Sequence, residues 1–145
     1  MKTKNKFFLI AVLLLVSINA YYYIVPLFAS SVKNLENTAA ELTLTANDLV
    51  ATYTNDETKS NTLYSGKIIE VIGTIKEITF LNNRTTIILN STSETFGVIC
   101  DINPNEKKTI YKLKKHQKIK VKGICKGFLK DVILLNCSID LQTNE

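Results

Sequence analysis

Three cysteines, Cys100, Cys125 and Cys137, and a dense run of lysines are the side chains of this chain with the most evident chemistry. Thiols can form disulfides, hold a metal or attack as nucleophiles. A metal centre lacks a ligand set, because no Cys-X-X-Cys spacing occurs and His116 is the single histidine, whereas structural zinc takes four such ligands. Cys125 and Cys137 flank the turn-forming residues 127–131 and are the candidate disulfide pair, a bridge across a hairpin. In an oxidising compartment it would stabilise the fold by roughly 2 to 4 kcal/mol. The alternative is three buried thiols behaving as small apolar side chains.

The lysines are unevenly placed. Of the net charge of +5, three positive charges are Lys2, Lys4 and Lys6 at the extreme N-terminus. Residues 31–104 carry five basic and nine acidic groups, whereas residues 105–130 carry ten lysines against Glu106 alone. Lys114, Lys115, Lys118, Lys120, Lys122 and Lys126 are therefore the candidates for a polyanion-binding face, able to meet phosphate, anionic glycan or lipid headgroups. The alternative is a solvated surface. Nucleic-acid readers usually add exposed aromatics on which bases stack. Only Tyr111 and Phe128 lie near this run in sequence, so nucleic acid is the less favoured partner.

Catalysis has little support. Acid–base chemistry needs a base beside a nucleophile, or two carboxylates with separated pKa values. Asp131 and Asp140 fall at opposite ends of one expected strand, Glu70 and Glu77 lack a paired acid, and His116 has no evident partner. No catalytic residue and no cofactor is expected.

The elements that must position these side chains are mostly strands. In residues 67–80, Ile69, Val71, Gly73 and Ile75 alternate with Glu70, Thr74 and Lys76, the pattern of a strand with one face in a core and one in water. The paired asparagines of residues 81–84 make a turn, and residues 85–90 a second strand. Phe96, Val98, Cys100 and Ile102 alternate through a third. Residues 103–106 begin a short helix with Ile110 and Leu113 inward. Residues 117–125 put Ile119, Val121 and Cys125 inside and Lys118, Lys120 and Lys122 outside, and residues 132–141 form the fifth strand. Upstream, Thr45-Ala-Asn-Asp48 has capping-box spacing before the apolar Leu49, Val50 and Tyr53. Five strands with a helix between the third and fourth is the plan of the OB-fold, a Greek-key barrel in which the fifth strand lies between the third and fourth. The fold class is thus mainly β, or α+β.

Tyr64-Ser-Gly-Lys-Ile-Ile-Glu-Val-Ile-Gly-Thr-Ile75, Val98-Ile-Cys100 and the stretch from Val121 through Lys126-Gly-Phe-Leu-Lys130 to Cys137 carry a family resemblance. They resemble the tRNA-anticodon-binding-like (tRNA_anti-like) OB-fold family of bacterial envelope proteins. The resemblance covers residues 45–140, and its most specific part is the hairpin holding Cys125 and Cys137. His116 departs from it, since such sequences place glycine before the fourth strand. The family name records fold similarity and does not imply tRNA binding.

Residues 7–29 carry no charge, with Ser17 and Asn19 as their only strongly polar side chains. As a helix such a segment spans about 34 Å, enough for a hydrocarbon core of about 30 Å. With Lys2, Lys4 and Lys6 before it, the positive-inside rule puts the N-terminus in the cytoplasm and the rest outside. The expected organisation is a signal-anchor helix at residues 1–30, a juxtamembrane helical neck at 31–62, the barrel at 63–141 and a tail at 142–145. A cleaved signal peptide, with release after Ala20, is the alternative. The expected function is a single-pass, membrane-anchored binding or adaptor module outside the cytoplasm, with a protein or glycan partner. Oligonucleotide or polyanion binding and a redox-responsive cysteine hairpin are the alternatives.

Overall fold

The computed structural model of the chain describes residues 12–19, 21, 35 and 38–140. The chain divides into two compact units, Met1–Lys33 and Asn34–Glu145. In the first, residues 12–19 are helical. The two polar side chains there turn back on the helix: Ser17 Oγ donates to Leu14 O at 2.9 Å and Asn19 Nδ2 to Leu15 O at 3.0 Å. Among the described residues no helix is long and apolar enough to cross a membrane. Much of the expected span at 7–29, and the lysines before it, lie outside the described residues, as does the tail.

The second unit is built from β1 (Leu42–Thr45), α1 (Ala46–Asn55), α2 (Glu57–Tyr64), β2 (Ile68–Leu81), β3 (Arg84–Asn90), β4 (Val98–Ile102), α3 (Lys107–Ile110), β5 (Lys118–Leu129) and β6 (Asp131–Asp140). A 3-10 turn at Pro104–Glu106 leads into α3. The sheet order is β1-β2-β3-β4-β6-β5, and β5 pairs back onto β2, so five strands close into a barrel with β1 added at one edge. This is the OB-fold, with β6 seated between β4 and β5 as its sequence pattern requires. The core is the inward alternation of these strands: Ile69, Val71 and Ile75 from β2, Ile87 and Leu89 from β3, Ile119 and Val121 from β5, Val132 and Leu134 from β6, and all three cysteines.

Local chemistry explains most boundaries. Thr45 caps α1, its hydroxyl accepting from Asp48 N at 3.1 Å, which satisfies one of the orphan donors of the first turn. Asp56 does the same for α2, accepting from Lys59 N at 2.9 Å. Leu49, Val50 and Tyr53 then bury the apolar stripe of α1 against the barrel. The helical neck expected at residues 31–62 ends in the helix α2, which runs two residues past it into the segment assigned to the barrel. Ser60 and Tyr64 of this helix are buried, and the low apolar content of ETKSNTLY hid where it ends. Within the same expected helical neck, residues 42–45 are instead the strand β1, which runs parallel to β2 with Leu42 opposite Ile69 and Thr45 opposite Ile72. The neck is therefore largely part of the barrel unit.

The glycines of the alternating strands serve close approach more than bending. A Cβ on Gly73 would sit 3.0 Å from Ala46 Cβ and 3.1 Å from Leu89 Cβ, so glycine here lets α1 press onto the barrel wall. At Gly123 a Cβ would meet Cys137 Sγ at 2.6 Å. There the register also shifts, between Lys122 and Ile124, so that glycine combines a bulge with clearance for a thiol.

Candidate functional site

The type and spacing of residues 80–85 create an aromatic corner that the strand pattern alone conceals. Asn82 and Asn83 take φ values of +50° and +62°, the left-handed pair that a two-residue type I′ hairpin needs and that asparagine tolerates. That turn sets Phe80 opposite Thr85 and Leu81 opposite Arg84. Thr85 pairs in turn with Ile102, the last residue of β4. The chain leaving β4 makes its 3-10 turn and α3, burying Ile110 and Leu113 under this end of the barrel. Tyr111, next to the buried Ile110, is left outside.

The product is a cleft of about 170 Å³ lined by Phe80, Asn83, Arg84, Thr85, Ile110 and Tyr111. Phe80 is 65% exposed and Tyr111 83%. Two large rings standing in water beside one cavity are surface that folding alone does not need. The Arg84 side chain, itself 68% exposed, is held in place by Asp101. Nε donates to Oδ1 at 3.3 Å and a terminal nitrogen to Oδ2 at 2.5 Å. This pairing raises the guanidinium pKa, by hydrogen bonding first and charge second. The guanidinium plane is thereby oriented without being buried. Rings and a fixed guanidinium can stack on a planar group. No acid–base pair or nucleophile lies among the cleft's lining residues.

The six lysines expected to share a basic face are not brought together. Lys120 is half-buried and paired with Glu70 at 3.3 Å. Lys122 donates from Nζ to Thr38 O at 3.0 Å. Lys126 is exposed but sits within the second register shift of β5 against β6, about 26 Å along the strand from Lys118 at a rise of about 3.3 Å per residue. Lys114, Lys115 and Lys118 remain as an exposed group at the start of β5. Lys118 also borders a broader cleft of about 510 Å³ beside Thr45, Asn47, Asn90 and Thr92. The basic face is thus one end of a strand and not its whole length, because Glu70 of β2 pairs with Lys120 and the Thr38 carbonyl holds Lys122.

The cysteines also differ from expectation. All three are free and buried, so the Cys125–Cys137 bridge is not formed. The register explains it: Cys125 stands opposite Leu134, while Cys137 stands opposite Ile102 of β4. Cys125 Sγ lies 3.4 Å from the Tyr53 hydroxyl. Burial first, and then the hydrogen bond to Cys125, raise the Tyr53 phenol well above its ordinary value. Burial likewise pushes the Cys137 thiol up, helped by a hydrogen bond with Cys100. Neutral, desolvated thiols of this kind are poor nucleophiles. Among the described residues no group of acids, cysteines and histidine is placed to hold a metal.

Phe96 and Phe128, the latter close to the lysine run in sequence, are half-buried and packed on the core. Phe128 stacks on Tyr53 with centroids 5.7 Å apart and meets Phe96 edge-on at 5.6 Å. The exposed ring that sequence did single out, Tyr111, is in the cleft; Phe80 and Arg84 were missed. Their signal was the Asn-Asn turn, which fixes what must flank it.

Comparison with known proteins agrees with this architecture. A family described as tRNA_anti-like matches residues 1–139. No curated protein matches. A lipoprotein of Klebsiella pneumoniae subsp. pneumoniae, provisionally described as nucleic acid-binding, is similar in structure with a TM-score of 0.55 and 13% identity, over 66% of this chain and 90% of its own. An OBody bound to hen egg-white lysozyme has a TM-score of 0.44 and 14% identity, over 55% of this chain and 85% of its own. At these identities the likeness is one of fold.

Proposed function

The chain belongs to the tRNA_anti-like family, and from that premise we propose that it is a non-catalytic binding module that takes single-stranded oligonucleotide in the cleft between its first hairpin and α3. The observation that carries this reading is the pair of exposed rings, Phe80 and Tyr111, on one cavity with the tethered Arg84. Stacking of successive bases on aromatic side chains contributes about 1–3 kcal/mol per base and tolerates any sequence. The Klebsiella lipoprotein, which shares the fold and is provisionally described as nucleic acid-binding, is in keeping with this ligand class.

Fluorescence anisotropy with labelled single-stranded oligonucleotides tests it. Phe80→Ala and Tyr111→Ala should each weaken binding about tenfold, the lower part of that stacking range. Absence of saturable binding by the natural chain, or binding by both variants as tight as the natural chain's, would sink the reading. A second reading, an adaptor for a glycan or other polyanion, rests on Lys114, Lys115 and Lys118 being exposed together. Heparin binding that ignores Phe80 and Tyr111 but falls when those lysines are changed to serine would favour it.

Attachment to the cell membrane, with the barrel outside the cytoplasm, is part of the proposal. It is supported by the uncharged residues 7–29 behind three lysines and by the way Ser17 and Asn19 satisfy themselves on their own helix, as polar groups in lipid must.

A further inference from the structure

A strand with one face in a core and one in water needs apolar side chains at alternate positions only. Three strands of the barrel exceed that requirement. Ile87 and Leu89 of β3, Val98 and Cys100 of β4, and Val132 and Leu134 of β6 are the buried, inward set. The residues between them, Ile88, Ile99 and Ile133, with Leu135 beyond, are apolar as well, and they are only half-buried. None of these four belongs to the core or packs against it. Register joins them into one row on the outside of the barrel, with Ile88 opposite Ile99 and Ile99 opposite Ile133. Strands that are apolar on both faces are characteristic of sheets covered on both sides. The barrel interior covers one side here, and the apolar side chains of α1 and α2, Leu49, Val50, Tyr53 and Tyr64, go into that interior.

The charges around the row decide what can cover it. The next outward positions along the three strands are Thr86, Asn90, Asp101 and Asp131. Asp101 is paired with Arg84, and Asp131 Oδ1 accepts from Gly97 N at 2.7 Å. The face is therefore an apolar centre with a polar, internally compensated rim, which is the make-up of a protein interface. It offers a polyanion no spare cation and a base no ring to stack on. A strongly charged partner gains nothing here, whereas another neutral apolar face does. The Asn34–Glu145 unit supplies such a face without repelling itself: the eighteen basic groups of the chain, less Lys2, Lys4, Lys6 and Lys33, leave fourteen against thirteen acidic ones. Net charge this close to zero favours self-association. A row of branched side chains crossing three strands can also mesh with its own copy about a two-fold axis, the isologous contact of most dimers.

We propose that the outer face of β3, β4 and β6 is a dimer interface, at which two copies of this chain pack sheet to sheet about a two-fold axis with Ile99 at the centre. Phe80 and Tyr111 take no part in it. Sedimentation equilibrium of the full chain in density-matched detergent is the test, and a concentration-dependent dimer is expected. Ile99→Lys and Ile99→Asp place a charge on the face and leave the core side of β4 unchanged. Each should weaken dimerisation about tenfold or more, because an unpaired charge would be buried in the contact. An equimolar mixture of the two variants should associate again, since the axis sets lysine against aspartate. Ile133→Lys, on the neighbouring strand, should weaken the dimer in the same direction even if a charge at position 99 disturbs folding. Phe80→Ala should dimerise as the natural chain does, whatever becomes of oligonucleotide binding. The proposal fails if the natural chain stays monomeric throughout, if the charged variants dimerise as the natural chain does, or if mixing the Ile99 variants restores nothing.

Discussion

Gly123 and Cys137 show how one side chain can dictate another across the barrel. A Cβ at position 123 would fall 2.6 Å from Cys137 Sγ, 3.2 Å from Leu134 Cβ and 3.3 Å from Leu135 O. Overpacking a closed core in this way costs about 1–3 kcal/mol, so Gly123→Ala should lower the thermal midpoint clearly. Cys137→Ala removes the sulfur that makes the closest contact. In the double variant the penalty of the alanine at 123 should therefore shrink, and the two changes should be non-additive by at least about 0.5 kcal/mol. Melting curves of the four proteins give that coupling; strict additivity would mean that the sulfur is not what excludes a side chain at 123. Alternation made the inward direction of all three cysteines legible in the sequence. Their partners were not, because the register shifts of β5 against β6 and of β4 against β6 decide them, and a bulge leaves no reliable mark on the alternation pattern.

At the level of elements, the same sequence was read well where the period was strong and poorly where it was short or absent. The five barrel strands and their order follow from alternation with turn residues between. β1 has four residues and no buried face of its own, and α2 has no apolar stripe, so neither is written in its own segment; each exists because the barrel offers it a surface. The aromatic cleft is likewise an agreement between two connections distant in sequence. Its hinge is the type I′ turn. Asn83→Val would force a β-branched residue to the left-handed region that Asn83 occupies at φ +62°, a conformation costing an L-residue about 1–2 kcal/mol. The hairpin tip should fray while the barrel stays folded. Oligonucleotide affinity should consequently drop by more than the modest fall in thermal midpoint suggests, because Phe80 loses its fixed place beside Arg84. Anisotropy and melting measured on the same preparation check it, and undiminished affinity would show that the turn does not position the cleft.

For the whole molecule, the consequential feature is that the Asn34–Glu145 unit closes on itself. β5 returns to β2, so no barrel strand is left with an open edge except where β1 lies. α1 and α2 cover the region of Phe96 and Phe128, while Ile110 and Leu113 are buried where β4 runs out. Such a unit carries its own core, as an independently folding domain must. The charge asymmetry of the chain divides near the same place, because four positive charges, Lys2, Lys4 and Lys6 of the segment read as a membrane anchor and Lys33 after it, precede the unit. Residues 34–145 expressed alone should therefore melt cooperatively. Their midpoint should lie within about 4 °C of the full chain's, the displacement that about 1 kcal/mol produces in a domain of this size. They should also keep the oligonucleotide affinity. Cell fractionation should separate the two forms, with the full chain in the membrane pellet and the shorter one in the soluble fraction. A shorter form that cannot melt cooperatively would show that the barrel needs the preceding unit to fold, and a full chain recovered free of membrane would remove the anchor from the proposal while leaving the aromatic cleft to be judged on its own titration.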